Sequence, residues 1–201
     1  MMKKTNIFID FDNTIVNSTK AFIQIYNKKF DASINYLDVE NYDFSPLINL
    51  DKEEICKIFS SYDFYREVEV FYGVEDVLKY LKESNLFNII LVTNCSADSI
   101  KEKIDYLKRN DLDKYFDSKI YLDSGKPYDK SIINMHNSIL IDDHRENHLY
   151  SNAKFKLCYK CLDNQNWCPN SDEAIIFNKW DKKLFYYLEY IAEHNHTKAS
   201  I

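Results

Sequence analysis

Glycine is almost missing from this sequence, with 2 residues, and proline is hardly commoner, with 3 in 201. Reverse turns must therefore rest on Asn, Asp and Ser, whose side chains fold back onto their own backbone. Long apolar runs are missing as well. None approaches the roughly 20 residues that span a bilayer, and Met1-Met2-Lys3-Lys4-Thr5 leads straight into a strand-like segment with no secretory leader. Both absences predict a soluble, cytoplasmic protein without a membrane partner. Basic residues are in deficit, 26 Lys and Arg against 32 Asp and Glu for a net charge of −6. That balance argues against a broad surface for a nucleic-acid polymer, and leaves a local positive spot for a small anion. The cysteines Cys56, Cys95, Cys158, Cys161 and Cys168 are odd in number, which favours reduced thiols over a disulfide framework. Cys158 and Cys161 have a ligand-like spacing with Cys168 following, but no second Cys or His pair completes a zinc set, and Cys158 falls in an alternating strand-like run.

What is present is globular: 45% hydrophobic and 29% charged residues, in a length that suits one domain or one domain with a small insert. The informative stretch is Ile7-Phe8-Ile9-Asp10-Phe11-Asp12-Asn13-Thr14-Ile15-Val16. Apolar residues lead into two aspartates, which a buried parallel strand would present at its C-terminal edge, where open α/β sheets bind ligands. Two carboxylates so close raise each other's pKa unless a cation intervenes. A hard divalent ion, Mg²⁺ first among them, is the simplest partner, since it takes oxygen ligands from carboxylates and a substrate phosphate. Taken alone, the stretch is equally readable as a strand ending in a solvated turn.

Two later segments repeat the design. Ile89-Ile90-Leu91-Val92 ends in Thr93-Asn94, and Ser138-Ile139-Leu140-Ile141 ends in Asp142-Asp143, with Asp129-Lys130-Ser131 between them offering a cation. In this order the segments resemble the four motifs of the haloacid dehalogenase-like (HAD) phosphohydrolase superfamily. The resemblance implies an α/β fold: a Rossmann-like three-layer core with a parallel sheet, plus a small, mainly helical cap inserted after the first strand. Residues 1–16 and 73–201 are expected to form the core and residues 17–72 the cap. Helical spacing predicts helices over Ser18–Phe30, Lys52–Ser60, from Val74, over Asp98–Lys108 and over Trp180–Ala192. Strands are expected at Asn88–Val92, Lys119–Leu122, Ser138–Ile141 and Phe155–Tyr159.

The resemblance also implies roles. Asp10 would attack phosphorus to form an aspartyl phosphate, and Asp12 would act as general acid and base. Mg²⁺ would be held by the Asp10 carboxylate, the Asp12 carbonyl and Asp143, with Asp142 ordering a bound water. Thr93, Asn94 and Lys130 would bind the phosphate, Lys126 competing with Lys130 for the last of these places. Within the superfamily the chain is most similar to the 5′(3′)-deoxyribonucleotidases, the cytosolic type C nucleotidases. Asp63-Phe64-Tyr65-Arg66-Glu67-Val68-Glu69, Asp129-Lys130-Ser131, Ile141-Asp142-Asp143-His144-Arg145 and Cys161-Leu162-Asp163-Asn164-Gln165 carry that likeness. It implies a nucleoside monophosphate as substrate, with Tyr42, Phe44, Phe64 and Tyr65 as candidate walls for the base; the competing reading makes them the cap's own core. The chain departs from that pattern at Asn17-Ser18-Thr19, where an aromatic residue is usual, and at Pro127-Tyr128, which replaces an arginine. Two other functions stay open: phosphatase action on a sugar phosphate or similar phosphomonoester, and a non-catalytic binding module on the same fold.

Overall fold

The computed structural model describes residues 4–123, 130–163 and 165–195. Strands β1 (Thr5–Ile9), β2 (Phe87–Cys95), β3 (Ser118–Asp123), β4 (Ile139–Asp142), β5 (Phe155–Tyr159) and β6 (Ile175–Phe177) form one sheet in the order β3-β2-β1-β4-β5-β6. Every pairing is parallel. The near-continuous apolar runs of β1 and β4 follow from this, because side chains alternate between faces and both faces are covered. Ile7, Ile9, Ile139 and Ile141 enter the larger core, whereas Phe8, Leu140 and Val92 enter a smaller one with Met135. The helices are α1 (Ser18–Phe30), α2 (Lys52–Phe59), α3 (Tyr62–Glu67), α4 (Val74–Ser84), α5 (Ala97–Arg109), α6 (Arg145–Tyr150) and α7 (Lys182–Asn195). This is the Rossmann-like α/β fold expected from the motifs.

Strand order reverses between β1 and β4, so the loops leaving these neighbours diverge and open a crevice at their C-terminal ends. Asp10 follows β1 directly and its backbone N–H donates to the Ile141 carbonyl at 2.9 Å. The turn beyond it needs a left-handed residue, and Asn13 supplies one at φ 52. Its side chain pins the start of α1, accepting from the Thr19 N–H and hydroxyl, each at 3.0 Å.

Between β1 and Gly73 the chain forms α1, α2 and α3; Phe22 of α1 stacks on Phe59 of α2 at 5.0 Å and on Phe44 of the segment joining them at 4.7 Å, and Phe59 lies 5.1 Å from Phe64 of α3. The helix α2 begins with a full capping box between Asp51 and Glu54. Three short elements lie outside the sequence expectation. Helix α3 hides in an aromatic run capped by Ser61, α6 is too short to show periodicity, and β6 has only three residues. The last helix starts at Lys182 rather than Trp180, because the Asp181 carboxylate accepts from the N–H groups of Lys183 and Leu184. Trp180 instead packs across the turn at Gly73 and donates its indole N–H to the Thr14 carbonyl at 3.0 Å.

Candidate active site

The ends of β1 and β4 place Asp10, Asp142 and Asp143 together, each offering one carboxylate oxygen within 4.8 Å of the others. Lys130, wholly buried, stands among them. Its Nζ lies 2.5 Å from Asp10 Oδ1, 2.5 Å from Asp142 Oδ2 and 3.0 Å from the Val92 carbonyl. Three acceptors from three adjacent strands therefore satisfy a cation that would otherwise be costly to bury. Lys126, Pro127, Tyr128, Asp129 and Asn164 lie outside the described residues.

Burial pushes the Asp10 carboxyl up to about 7, with Asp142 and Asp12 adding to the rise and the Lys130 ammonium opposing it. Burial also drives Asp143 well above the usual carboxylate range, with Asp142 and Asp10 reinforcing it. Burial pushes Asp142 the same way but loses to Lys130, His148 and the Asn147 amide, so its pKa falls below the ordinary value. Its Oδ1 accepts from the His144 N–H at 2.9 Å and from Asn147 Nδ2 at 3.0 Å. Asp142, expected to order a water bound to the metal, offers an oxygen to the same cluster. His148 is buried with Nε2 3.0 Å from the Asp142 carbonyl oxygen, a supporting position on α6.

Asp12 points to a different place. Its Oδ2 accepts from Lys103 Nζ at 2.6 Å and its Oδ1 from the Ser18 hydroxyl at 2.6 Å. Thr93 and Asn94 stand beside it near the end of β2, and Thr93 Oγ1 also accepts from Lys103 at 2.6 Å. Next to this group opens a cleft of about 400 Å³, bordered by Asp12 and Asn94 and walled by Tyr42, Phe44, Phe59, Tyr65 and Trp167. Phe64 is not part of that wall. It is fully buried against Phe59 and Tyr65, with ring centroids 5.1 Å from each, so its place is in the packing beneath the cleft. Tyr42 sits at the rim, half exposed, 4.3 Å from the His144 ring.

Lys103, Ser18, Trp167 and Gln165 were not anticipated. Trp167 Nε1 donates to Asp143 Oδ2 at 2.7 Å, and Gln165 Nε2 approaches the same oxygen at 3.5 Å. Lys103 had a visible signal: with Ser99, Tyr106 and Leu107 it occupies the buried stripe of α5, where lysine is out of place. The cysteines are free, and among the described residues the cluster of possible metal ligands is the aspartate one.

Those three carboxylates are a fitting set for Mg²⁺: hard oxygen donors converging on one point. When all are ionised, these three and Asp12 make four carboxylates facing two ammonium groups, Lys103 and Lys130, and one divalent cation would close the difference.

Residues 4–166 match the family described as 5′ nucleotidase, deoxy (pyrimidine), cytosolic type C protein. The chain is 26% identical over 185 residues to a nucleotidase of Clostridium acetobutylicum, covering 90% of this chain and 92% of that protein. Among solved structures it resembles a predicted phosphatase from Clostridium acetobutylicum with a TM-score of 0.67 and 19% identity, covering 94% of this chain and 100% of the other. A haloacid dehalogenase-like hydrolase from Streptococcus pneumoniae follows at 0.64 and 18%, covering 92% and 98%. A HAD-hydrolase from Bacillus subtilis, described as bound to magnesium, superposes at 0.59 with 12% identity, covering 93% and 99%. At these identities the structures bear on the fold alone.

Proposed function

The chain belongs to the cytosolic type C deoxy (pyrimidine) 5′-nucleotidase family, and from that premise we propose a Mg²⁺-dependent phosphatase of nucleoside monophosphates acting through an aspartyl phosphate. The enzyme is a phosphatase of the HAD superfamily; the metal, the nucleotide substrate and the individual roles are our reading. The observation that carries it is the placing of Asp10, Lys130, Asp142 and Asp143 at the strand-order reversal, beside an aromatic-walled cleft of about 400 Å³.

Mg²⁺ held by these aspartates would neutralise charge on the phosphoryl oxygens. Asp10 attacks phosphorus while Lys130 offsets the charge of nucleophile and phosphoryl group. Asp12 gives a proton to the leaving oxygen and then takes one from the water that hydrolyses the intermediate. The Thr93 hydroxyl and the Asn94 amide bind phosphoryl oxygens. Flat faces on Tyr42, Phe44 and Tyr65 suit a nucleobase, which stacks on aromatic rings without needing a particular hydrogen-bond pattern. We read residues 17–72 as a cap over this site and the protein as cytoplasmic.

A panel of ribo- and deoxyribonucleoside monophosphates and sugar phosphates, assayed with Mg²⁺ and with EDTA, tests the proposal. The highest kcat/KM should fall on a nucleotide and vanish with EDTA. Preference for a sugar phosphate over every nucleotide would reject the substrate assignment and leave the phosphatase chemistry standing.

A further inference from the structure

We propose that Lys103 is a positioning residue for departure of the leaving group, its ammonium fixing the Asp12 carboxylate and the Thr93 hydroxyl in one arrangement. The inference rests on the phosphatase reading, with Asp12 as acid and base.

Lys103 projects from the buried stripe of α5 and is only 3% exposed. An apolar residue would continue that stripe without the cost of burying an ammonium. The lysine instead lies among acceptors from beyond β1 and from the end of β2: Asp12 Oδ2 at 2.6 Å, Thr93 Oγ1 at 2.6 Å and the Asn94 carbonyl at 3.3 Å. The Phe11 ring centroid lies 4.9 Å away. Lys103 thus does for Asp12 what Lys130 does for Asp10.

The donor inventory says what such a contact accomplishes. An ammonium only donates, whereas a hydroxyl donates or accepts. Asp12 Oδ2 is therefore committed to Lys103. Asp12 Oδ1, 2.6 Å from the Ser18 hydroxyl, is the oxygen left to exchange a proton, since Ser18 accommodates it with or without one. By donating to Thr93 Oγ1, Lys103 also directs the threonine's own hydrogen elsewhere. Here that is toward the Asn94 carbonyl at 3.3 Å; with substrate bound, a phosphoryl oxygen takes its place. In the step itself a bond forms between an Asp10 oxygen and phosphorus, and the bond from phosphorus to the leaving oxygen breaks. The Asp12 proton passes to that oxygen, releasing a neutral alcohol.

An alkoxide needs that proton and p-nitrophenolate does not, so single-turnover release at saturating substrate separates positioning from mere structural support. The probes are p-nitrophenyl phosphate and whichever of thymidine 5′-monophosphate or ribose 5-phosphate the unaltered enzyme turns over faster. Lys103→Met should slow release from the alkyl phosphate by about 10- to 100-fold and release of p-nitrophenol about tenfold less. Lys103→Gln, which keeps a donor, should show the same split in weaker form, and it decides the matter if the Met variant does not fold. Equal losses on both substrates, or no loss, overturn the proposal. Asp12→Asn in the same assay separates the two levels. If it keeps alkyl phosphate turnover, the acid/base reading itself falls. If it shows the split and neither Lys103 variant does, only the role of Lys103 falls.

Discussion

Asp10 and Asp12, two residues apart just beyond the C-terminal end of β1, are each held by a different buried lysine: Lys130 at 2.5 Å and Lys103 at 2.6 Å. Adjacent positions in sequence thereby become separate chemical environments. Asp10 faces the acidic cluster between β1 and β4, while Asp12 faces β2, Ser18 and the cleft. Two carboxylates with distinct surroundings are what an attacking group and a proton carrier require.

Asp10→Asn should abolish turnover without lowering stability. Burial opposes ionisation of Asp10 strongly enough to raise its pKa to about 7, so removing the charge relieves a cost, whereas removing the nucleophile removes the reaction. Urea unfolding of the metal-free variant beside the parent, together with a phosphate-release assay, gives both readings. Undiminished hydrolysis would contradict the assignment of the nucleophile.

Mg²⁺ should raise the melting temperature of the substrate-free protein, because a ligand that binds only the folded state stabilises it by about 2.7 kcal/mol at a hundredfold excess over Kd. Asp143→Asn should shrink that rise, since Asp143 contributes one of the three clustered oxygens. Differential scanning calorimetry with and without Mg²⁺ reads the effect independently of catalysis. An unchanged melting temperature at millimolar Mg²⁺ would argue against the aspartate cluster as the ion's site.

Gly73→Ala should destabilise the fold by about 2 kcal/mol or more. The residue has φ +86, and a Cβ there would sit 1.9 Å from the Trp180 carbonyl oxygen. That oxygen belongs to backbone fixed by the Trp180 indole on Thr14 and by the start of α7, so no side chain can yield to relieve the clash. Chemical denaturation gives the measure, and a loss under 0.5 kcal/mol would show that this contact relaxes freely.

Much of this architecture is legible in the residues themselves, and the parts that are not share a cause. Helix α1 and strand β5 coincide with their expected limits because the Asn17 cap marks the start of the helix and Lys154 and Lys160 flank the strand's largely apolar run. Three of the four motif segments are legible because polar residues end apolar runs, and a parallel sheet brings such ends to one edge, while Lys130 comes from a short turn between β3 and β4. Lys103 shows in the sequence only as a lysine on an apolar stripe, and its partner Asp12, 91 residues away, does not; Trp167 is not legible at all, since Asp143 lies 24 residues away in the chain. No local pattern distinguishes an aromatic residue that walls a cleft from one that fills a core. Phe59 borders the cleft and Phe64, five positions on, lies fully buried beneath it.

Trp167 permits a test that separates its two contacts. Its ring borders the cleft, and its indole N–H, 2.7 Å from Asp143 Oδ2, fixes a carboxylate that we assign to the metal. Trp167→Phe keeps an aromatic wall and deletes the donor, whereas Trp167→Ala deletes both. Partners that orient metal ligands are worth about 10- to 100-fold in metal affinity. Trp167→Phe should therefore raise the Mg²⁺ concentration for half-maximal activity by about tenfold with substrate KM little changed. Trp167→Ala should raise both, because the cleft then loses a face on which a planar group rests. If Trp167→Phe moved KM and left the Mg²⁺ requirement alone, the hydrogen bond to Asp143 would be incidental and the ring's role would lie wholly with the substrate.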